Sequence, residues 1–346
     1  MNELLEAARR GDETAYRELV ERHRGELHAH CYRMLGSVHD AEDALQEALL
    51  RIWRALPRFE GRSSFRGWCY RVATNTCLDV INRRPKRVLP IDHAGPDDPH
   101  AGPREPLAER TWIEPYPSDP EAGYEQRESV ELAFVAALQH LPATQRAVLV
   151  MREVLGFSAA ETADSLDTTT ASVNSALQRA RSAVEQRVPE QSQQATLRAL
   201  GDEALKDLVE GYVDAMERGD VPRVVAMLAE DAAWSMPPLA SWYRGRADIE
   251  IFLREGPLSG RFRWRRLVTS ANGQPAIAGY TWHEDERAYL PFVIDVLTLE
   301  GGRIKEVTAF IARSPEPLDP DRIRNFPAEP LAGDMFARFG LPDRLD

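Results

Sequence analysis

Apolar residues recur every three or four positions through residues 2–87 with few turn signals, and this periodicity predicts helix almost throughout. In "SVHDAEDALQEALLRIWRALPRF" the positions Ala41, Leu45, Leu49, Ile52, Trp53 and Leu56 form one apolar stripe, and Asp40, Asp43, Gln46 and Glu47 fall on other faces. Pro57 closes that helix, the turn "EGRSS" follows, and Ser63 or Ser64 can cap the next one. The pattern breaks over about residues 90–129, where seven prolines between Pro96 and Pro120 accompany many acids and few aliphatics. Such a stretch predicts a flexible or extended linker without a core of its own. Helical periodicity resumes at Glu131 and continues to about Gln193.

Within that second helical stretch, Ser158 followed by Glu161 is a capping box opening a helix over 159–166, and "DTTT" makes a short polar turn. A threonine of that turn can cap a second helix reaching about Arg187. Val173, Leu177, Ala180 and Val184 take its buried face; Ser172, Asn174, Ser175, Gln178, Arg179 and Arg181 are left outside. Those side chains can bond to phosphates and base edges in a major groove, as in a helix-turn-helix reader. The glycine usual in such a turn is replaced by Asp167 or its neighbours.

A third pattern begins near Asp202. "EALKDLVEGYVDAMERGDVPRVVAMLAEDAAW" reads as two helices separated by a Gly-Asp turn with proline at an early helical position, and "RGRADIEIFLREG" as another. The period then changes to that of strands, with turns at Asn272-Gly273 and Gly301-Gly302, giving an α+β plan with a curled antiparallel sheet. The last thirty residues are rich in proline and make a tail.

Charge sharpens this division. The 346 residues carry a formal net charge of −12, yet residues 1–90 hold 16 basic and 13 acidic side chains, whereas 91–129 hold 3 and 10. Residues 62–87 contain seven basic residues and one acid, Asp79. An acidic protein with one basic stretch directs that stretch at a polyanion. Cys31, Cys69 and Cys77 show neither disulfide nor zinc-ligand spacing and read as small buried hydrophobes, so no metal or cofactor is called for. No apolar run approaches a membrane span and the N-terminus has no apolar signal core, so a cytoplasmic protein without membrane contact is expected.

Three motifs in order, "DAEDALQEALLRIWRAL", "FRGWCYRVATNTCLDVINRR" and "LPATQRAVLVMREVLGFSAAETADSL…VNSALQRAR", resemble a bacterial RNA polymerase sigma factor of the extracytoplasmic-function (ECF) group in the sigma-70 family. Residues 203–313, with "YVDAMERGDVPRVVAMLAEDAAWSMPP" and "WYRGRADIEIFL", resemble the SnoaL-like branch of the NTF2-like fold. The resemblance implies a multidomain chain: two all-α sigma domains, a region 2 helical bundle over 1–90 and a region 4 helix-turn-helix over 130–190, then an α+β NTF2-like cone over 203–314. Between and after them lie an acidic linker, 91–129, and a tail, 315–346.

The resemblance further implies binding to core RNA polymerase, at its clamp coiled coil and flap, and recognition and melting of promoter DNA. Asp40, Asp43, Gln46 and Trp53 are then nominated for polymerase docking. Phe59, Arg62, Ser63, Arg66, Arg71, Asn75, Asp79, Asn82, Arg83 and Arg84 are nominated for the minus-ten element, and Phe59 and Asn75 match positions lining the pocket for a flipped base. Ser172, Asn174, Ser175, Gln178 and Arg179 are nominated for the minus-thirty-five element. Holding unpaired DNA asks for amides, aromatic surfaces and phosphate-binding arginines together, which the second motif supplies. Trp68 and Tyr70 stand at core spacing. Phosphodiester synthesis belongs to the polymerase, so no catalytic residue is required.

The third domain implies regulation in cis, directly or through a small-molecule ligand, with Trp234, Trp242, Tyr243, Trp282, His283 and Asp295 as candidates to line a pocket. His283, beside Glu284 and Asp285, reads as a strand-end surface residue. The acidic linker is expected to lie on the basic helix and compete with DNA. The competing reading is an NTF2-like sensor or enzyme fused to a helix-turn-helix regulator, which would have no use for the first ninety residues.

Overall fold

The computed structural model describes residues 2–61, 64–104, 112–118, 127–312 and 334–346. The chain divides into two units: Met1–Arg87 with Leu132–Glu190, and Val88–Glu131 with Gln191–Asp346. Among the described residues no helix is long and apolar enough to cross a membrane.

The first unit is helical. Helices α1 (Asn2–Arg9), α2 (Glu13–Leu35), α3 (Val38–Ala55) and α4 (Phe65–Ile81) pack as a bundle, with a 3-10 turn at Leu56–Arg58 where Pro57 stops α3. Asp12 caps α2 and Ser37 caps α3, each accepting from backbone N–H groups of the first turn. Ser64 caps α4, accepting from the N–H of Gly67. Leu19, Leu27, Cys31 and Met34 of α2 face Ala41, Leu45, Ala48 and Ile52 of α3 and Cys69, Tyr70, Ala73 and Cys77 of α4; all are buried. The alanines let the helices approach closely, and each buried Leu or Ile contributes about 1.5–3 kcal/mol of transfer free energy.

The same unit holds α6 (Leu132–Gln139), α7 (Ala143–Leu149) with a π-turn at Val150–Val154, α8 (Ala159–Ser165) and α9 (Thr170–Glu185). The capping box of Ser158 and Glu161 is formed in both directions. Thr169 caps α9, and Asp167 takes the left-handed conformation (φ 50°) where glycine is usual.

The second unit is mixed. It contains the short helix α5 (Pro90–His93), then α10 (Gln193–Leu200), α11 (Asp202–Arg218), α12 (Val221–Met227), α13 (Arg246–Glu255) and α14 (Met335–Arg338). Its six strands are β1 (Leu228–Ser235), β2 (Trp242–Arg244), β3 (Trp264–Ala271), β4 (Gln274–His283), β5 (Ala288–Glu300) and β6 (Arg303–Ile311). They are ordered β2-β1-β6-β5-β4-β3. The expected antiparallel sheet is corrected at one place, since β1 runs parallel to β6. Helices α10 to α13 cover one face of the sheet over a core that includes Tyr212, Met216, Trp234, Phe252, Leu253, Trp264, Ile277 and Val307.

The linker is not the flexible, coreless stretch its composition suggested. Its described part is fastened to this unit: Leu89, Trp112 and Ile113 are buried, Asp97 N–H donates to Trp242 O (2.9 Å), Trp242 Nε1 donates to Ala94 O (2.7 Å), and Arg104 N–H donates to Ser241 Oγ (2.6 Å). The end of the chain returns as well. Phe336 packs edge-on against Tyr280, Tyr280 Oη donates to Pro342 O, and Leu345 pairs with Tyr289.

Glu131, the last residue before the chain passes into the helical unit, accepts from the N–H groups of Gln193 (3.0 Å) and Gln194 (2.8 Å) and so caps α10. Burial pushes its carboxyl up to about 7, against the two N–H groups that pull it down. A carboxyl whose folded pKa lies above its unfolded value holds its proton more tightly when folded. Its contribution is therefore full in acid and falls as pH rises from 4.5 to about 7. Unfolding of the mixed unit in urea should show stability declining across that window, and Glu131→Gln should flatten the decline; an unaltered slope would contradict this assignment.

Candidate nucleic-acid interface

Helix α4 buries Tyr70, Ala73, Thr74 and Cys77 on one side and turns its polar side chains to the other. Arg66 binds Glu26 of α2 through Nε (2.9 Å) and Nη2 (2.7 Å), and Tyr70 Oη donates to the same carboxylate (3.1 Å). Burial alone would raise the Glu26 pKa, but the bonds from Arg66 and His23 outweigh it and hold the carboxyl below its ordinary range. Arg71 and Asn75 point at the helix-turn-helix. Arg71 Nη1 pairs with Asp164 of α8 at 2.9 Å, and Asn75 Nδ2 makes a long bond to Ser165 O at 3.4 Å. Phe157, just before α8, meets the Tyr70 ring edge-on at 6.0 Å.

The anchor of that contact is Arg146 on α7, a buried guanidinium. Its Nη1 donates to Met34 O at the end of α2 and to Gln139 Oε1 (2.5 Å); its Nη2 donates to Gln139 O (3.1 Å) and Leu141 O (3.3 Å). These carbonyls lie at or just past the C-terminal ends of α2 and α6, where the peptide dipoles favour a cation. Burial pulls its pKa down to about 10, so it remains charged at neutral pH. Gly36 caps α2 in the left-handed conformation (φ 68°), and a Cβ there would meet the Gln139 side chain at 3.1 Å, so glycine serves both the turn and the close approach.

The nominated residues separate into groups. Ser172, Asn174, Ser175, Gln178 and Arg179 stand together, exposed, on α9. Arg83, Arg84 and Asn82 are exposed at the end of α4, and Asp79 is paired with Arg51 at 2.9 Å. Asp43 and Gln46 are exposed on α3 next to Leu50, an exposed apolar residue that the periodicity did not single out. Trp53 is half-buried against the Tyr16 ring.

Two nominations are corrected by burial. Asp40 is only 5% exposed and is held by Arg84 and by Arg87 (2.5 Å), so it ties α3 to the chain after α4 instead of standing on the open docking face. Phe59 lies in an apolar cluster with Leu56, its ring against Trp68 at 4.9 Å and Phe65 at 6.1 Å, and does not line an open pocket. Arg62 and Ser63 lie outside the described residues.

The residues nominated for a pocket in the mixed unit do not converge. Asp295 is buried with Arg266 (2.7 Å to Nη1) and receives the Tyr212 hydroxyl at 3.0 Å. Burial first, and then Asp295, push the Tyr212 pKa up, so that hydroxyl stays a donor. Gly279 makes room for this guanidinium, since a Cβ there would approach Arg266 Nη1 at 3.4 Å and Val293 at 2.9 Å. Trp282 belongs to the opposite face: Ile277 pairs with Asp295, and Trp282 lies five residues further along β4. Trp242 binds the linker, and Trp234 and Tyr243 pack on Phe252 in the core. His283 is buried, 3.4 Å from Thr281 Oγ1, and is not a surface residue. Arg266 and Tyr212 escaped sequence reading because nothing in their spacing predicts that they share a carboxylate.

Comparison with known proteins now decides between the two readings. Models of sigma-70 region 2, sigma-70 region 4 and the SnoaL-like domain match residues 19–87, 131–184 and 209–307. The ECF RNA polymerase sigma factor SigG of Mycobacterium tuberculosis is 41% identical over 347 residues, covering 97% of this chain and 86% of that protein. The chain is an ECF sigma factor of the sigma-70 family. SigM of M. tuberculosis is 33% identical over 180 residues, which cover 52% of this chain and 80% of SigM. The crystal structure of M. tuberculosis SigJ superposes with a TM-score of 0.54 over 90% of this chain and 99% of that one at 22% identity, a likeness of fold. A plain helix-turn-helix regulator has no region 2, so the fused-sensor reading falls. In this sigma factor the region 2 match spans most of α2 with α3 and α4, the region 4 match spans α6 to α9, and the SnoaL-like match lies in the mixed unit.

The interface between regions 2 and 4 should depend on Arg146 far more than on the exposed ion pair. Asp164→Ala removes a pair whose carboxylate is 77% exposed and should cost less than about 1 kcal/mol. Arg146→Met leaves several buried carbonyls without their charged donor, each loss costing about 1–3 kcal/mol. Small-angle scattering should therefore report expansion of the full chain for Arg146→Met and none for Asp164→Ala. Equal behaviour of the two variants would contradict this ranking.

Proposed function

We propose that this ECF sigma factor carries core RNA polymerase to a set of promoters from a closed resting arrangement in which the first helix of the region 4 helix-turn-helix engages the DNA-facing side of region 2 and leaves the α9 face open. The observation that carries the reading is the 2.9 Å contact between Arg71 of α4 and Asp164 of α8. The two promoter elements lie some 25 base pairs apart, roughly 85 Å along a duplex at 3.4 Å per base pair. Helices that touch cannot occupy both. Regions 2 and 4 therefore separate before or while the promoter is engaged, and the arginine and asparagine then released are those suited to phosphates and an unstacked base.

On this reading the exposed face of α3 with Asp43, Gln46 and Leu50 docks on the clamp coiled coil of the polymerase, and region 4 meets its flap. Asn75, Arg71, Asn82, Arg83 and Arg84 handle the minus-ten element, and Ser172, Asn174, Ser175, Gln178 and Arg179 read the minus-thirty-five element. The protein works in the cytoplasm and has no catalytic step of its own. In the SnoaL-like domain Asp295 is engaged by Arg266 and Tyr212 instead of being poised as a base, which supports control in cis over turnover. A small molecule bound in the cone would act by changing the hold on the linker.

Pull-down with bacterial core RNA polymerase, followed by run-off transcription, tests the proposal. Asn75→Ala should bind polymerase like wild type and form open promoter complexes at least about tenfold less well, the loss of one or more specific base contacts. Loss of polymerase binding in that variant would make Asn75 a structural residue and remove the assignment.

A further inference from the structure

Region 4 leaves the mixed unit after Glu131 and returns to it at Gln191, and the residues at this junction are held from two sides. On one side is the tip of the β3–β4 hairpin, Asn272-Gly273, with both φ angles positive (55° and 68°), as a two-residue type I′ turn requires. Asn272 is fully buried at a hairpin tip, where asparagine is usually exposed. Its Oδ1 accepts from Tyr116 N–H (2.9 Å), its own N–H donates to Tyr116 O (2.8 Å), and its Nδ2 donates to Val130 O (2.8 Å). One side chain thus grips the linker at two points fourteen residues apart.

Gly273 N–H donates to Ser118 Oγ (2.8 Å), and a Cβ at Gly273 would meet Arg127 O at 2.9 Å, so the linker lies directly against the turn. On the other side Glu131 joins the start of region 4 to the helix that follows its end, through the N–H groups of Gln193 and Gln194. Gln193 in turn bonds both backbone groups of Leu299, at the irregularity in the β5–β6 pairing.

We propose that Asn272 and Glu131 form a latch by which the SnoaL-like domain withholds linker length from region 4, and that the latch opens when the sigma factor engages polymerase. The inference rests on the sigma reading and deepens it by naming the residues of control. Residues 88–131 would span well over 100 Å if extended, at about 3.3 Å per residue, enough to let region 4 reach the minus-thirty-five element. Fastened at residues 116–118, 127 and 130–131, the linker cannot supply that reach. The grip of Asn272 takes backbone groups on the linker side, so that part of the latch is insensitive to most linker substitutions and sensitive to the single side chain on the domain; Ser118 and Glu131 are the linker side chains that add to it.

Two variants of the full chain test the latch without disturbing the core. Asn272→Gly keeps the left-handed turn and removes the side chain; Tyr116→Pro removes the N–H that Asn272 accepts and leaves the domain untouched. Hydrogen exchange of residues 112–118 and 127–131 should quicken on the order of tenfold in each, while the strands of the sheet stay protected. Run-off transcription with core polymerase should rise several-fold. Unchanged exchange in both variants overturns the latch, and quickened exchange with unchanged transcription overturns its role in control. If the wild-type chain directs no polymerase-dependent transcript, the sigma reading fails, and exchange alone then decides whether the latch exists.

Discussion

The buried cation Arg146 links the two regions of the helical half of this protein. Arg146 has no carboxylate partner among its hydrogen bonds; its charge is stabilised by carbonyl oxygens at helix ends and by one side-chain amide. A guanidinium suits this place because its planar donors reach several acceptors at once and it stays charged even when burial lowers its pKa. Three of the four bonds lie within region 4, to Gln139 and Leu141, and the fourth reaches Met34 O of region 2, so parting the regions costs a buried charge one of its acceptors. The exposed pair of Arg71 with Asp164 then falls into place as a consequence of that contact and adds little to it.

The mixed half applies a different kind of restraint. Its sheet holds the linker mainly by main-chain hydrogen bonds and a few buried side chains such as Trp112 and Ile113, and the end of the chain lies on the same sheet through Phe336 and Leu345. Arg338 of α14 also approaches Glu114 of the linker at 3.9 Å, so tail and linker touch. Taken with the buried cluster of Tyr212, Arg266 and Asp295, the domain is suited to gripping polypeptide, and its polar core is already satisfied by its own side chains. In the proposed mechanism, restraint on reach and restraint between the DNA readers are separate devices with one effect, keeping regions 2 and 4 from promoter spacing.

Much of this was legible in sequence because it is local. The caps at Ser158 and Glu161, the Asn-Gly hairpin and the exposed face of α9 each follow from spacing within one element. What stayed hidden is non-local. The stretch Leu228–Ser235 is rich in Ala, Glu and Asp and reads as helix, yet becomes strand β1 through pairing with β6, some seventy residues away. Asp40 reads as a surface acid and is buried because Arg84 and Arg87 arrive from beyond α4. Linker composition argued for disorder, and a partner surface elsewhere in the chain provides the burial that composition lacked. Asn272 was legible as a turn residue but not as a clasp, since both of its partners lie more than a hundred residues upstream.

The central claim is that regions 2 and 4 touch in the free protein and part on the promoter. The three native cysteines are buried, so cysteines introduced at the exposed positions Asn82 and Gln178 can be labelled selectively with a fluorescent donor and acceptor. Energy transfer should report a single short separation in the free chain and a shift toward roughly 85 Å once core polymerase and promoter DNA are added. A long separation in the free chain, or one that does not change when the promoter complex forms, would contradict the account.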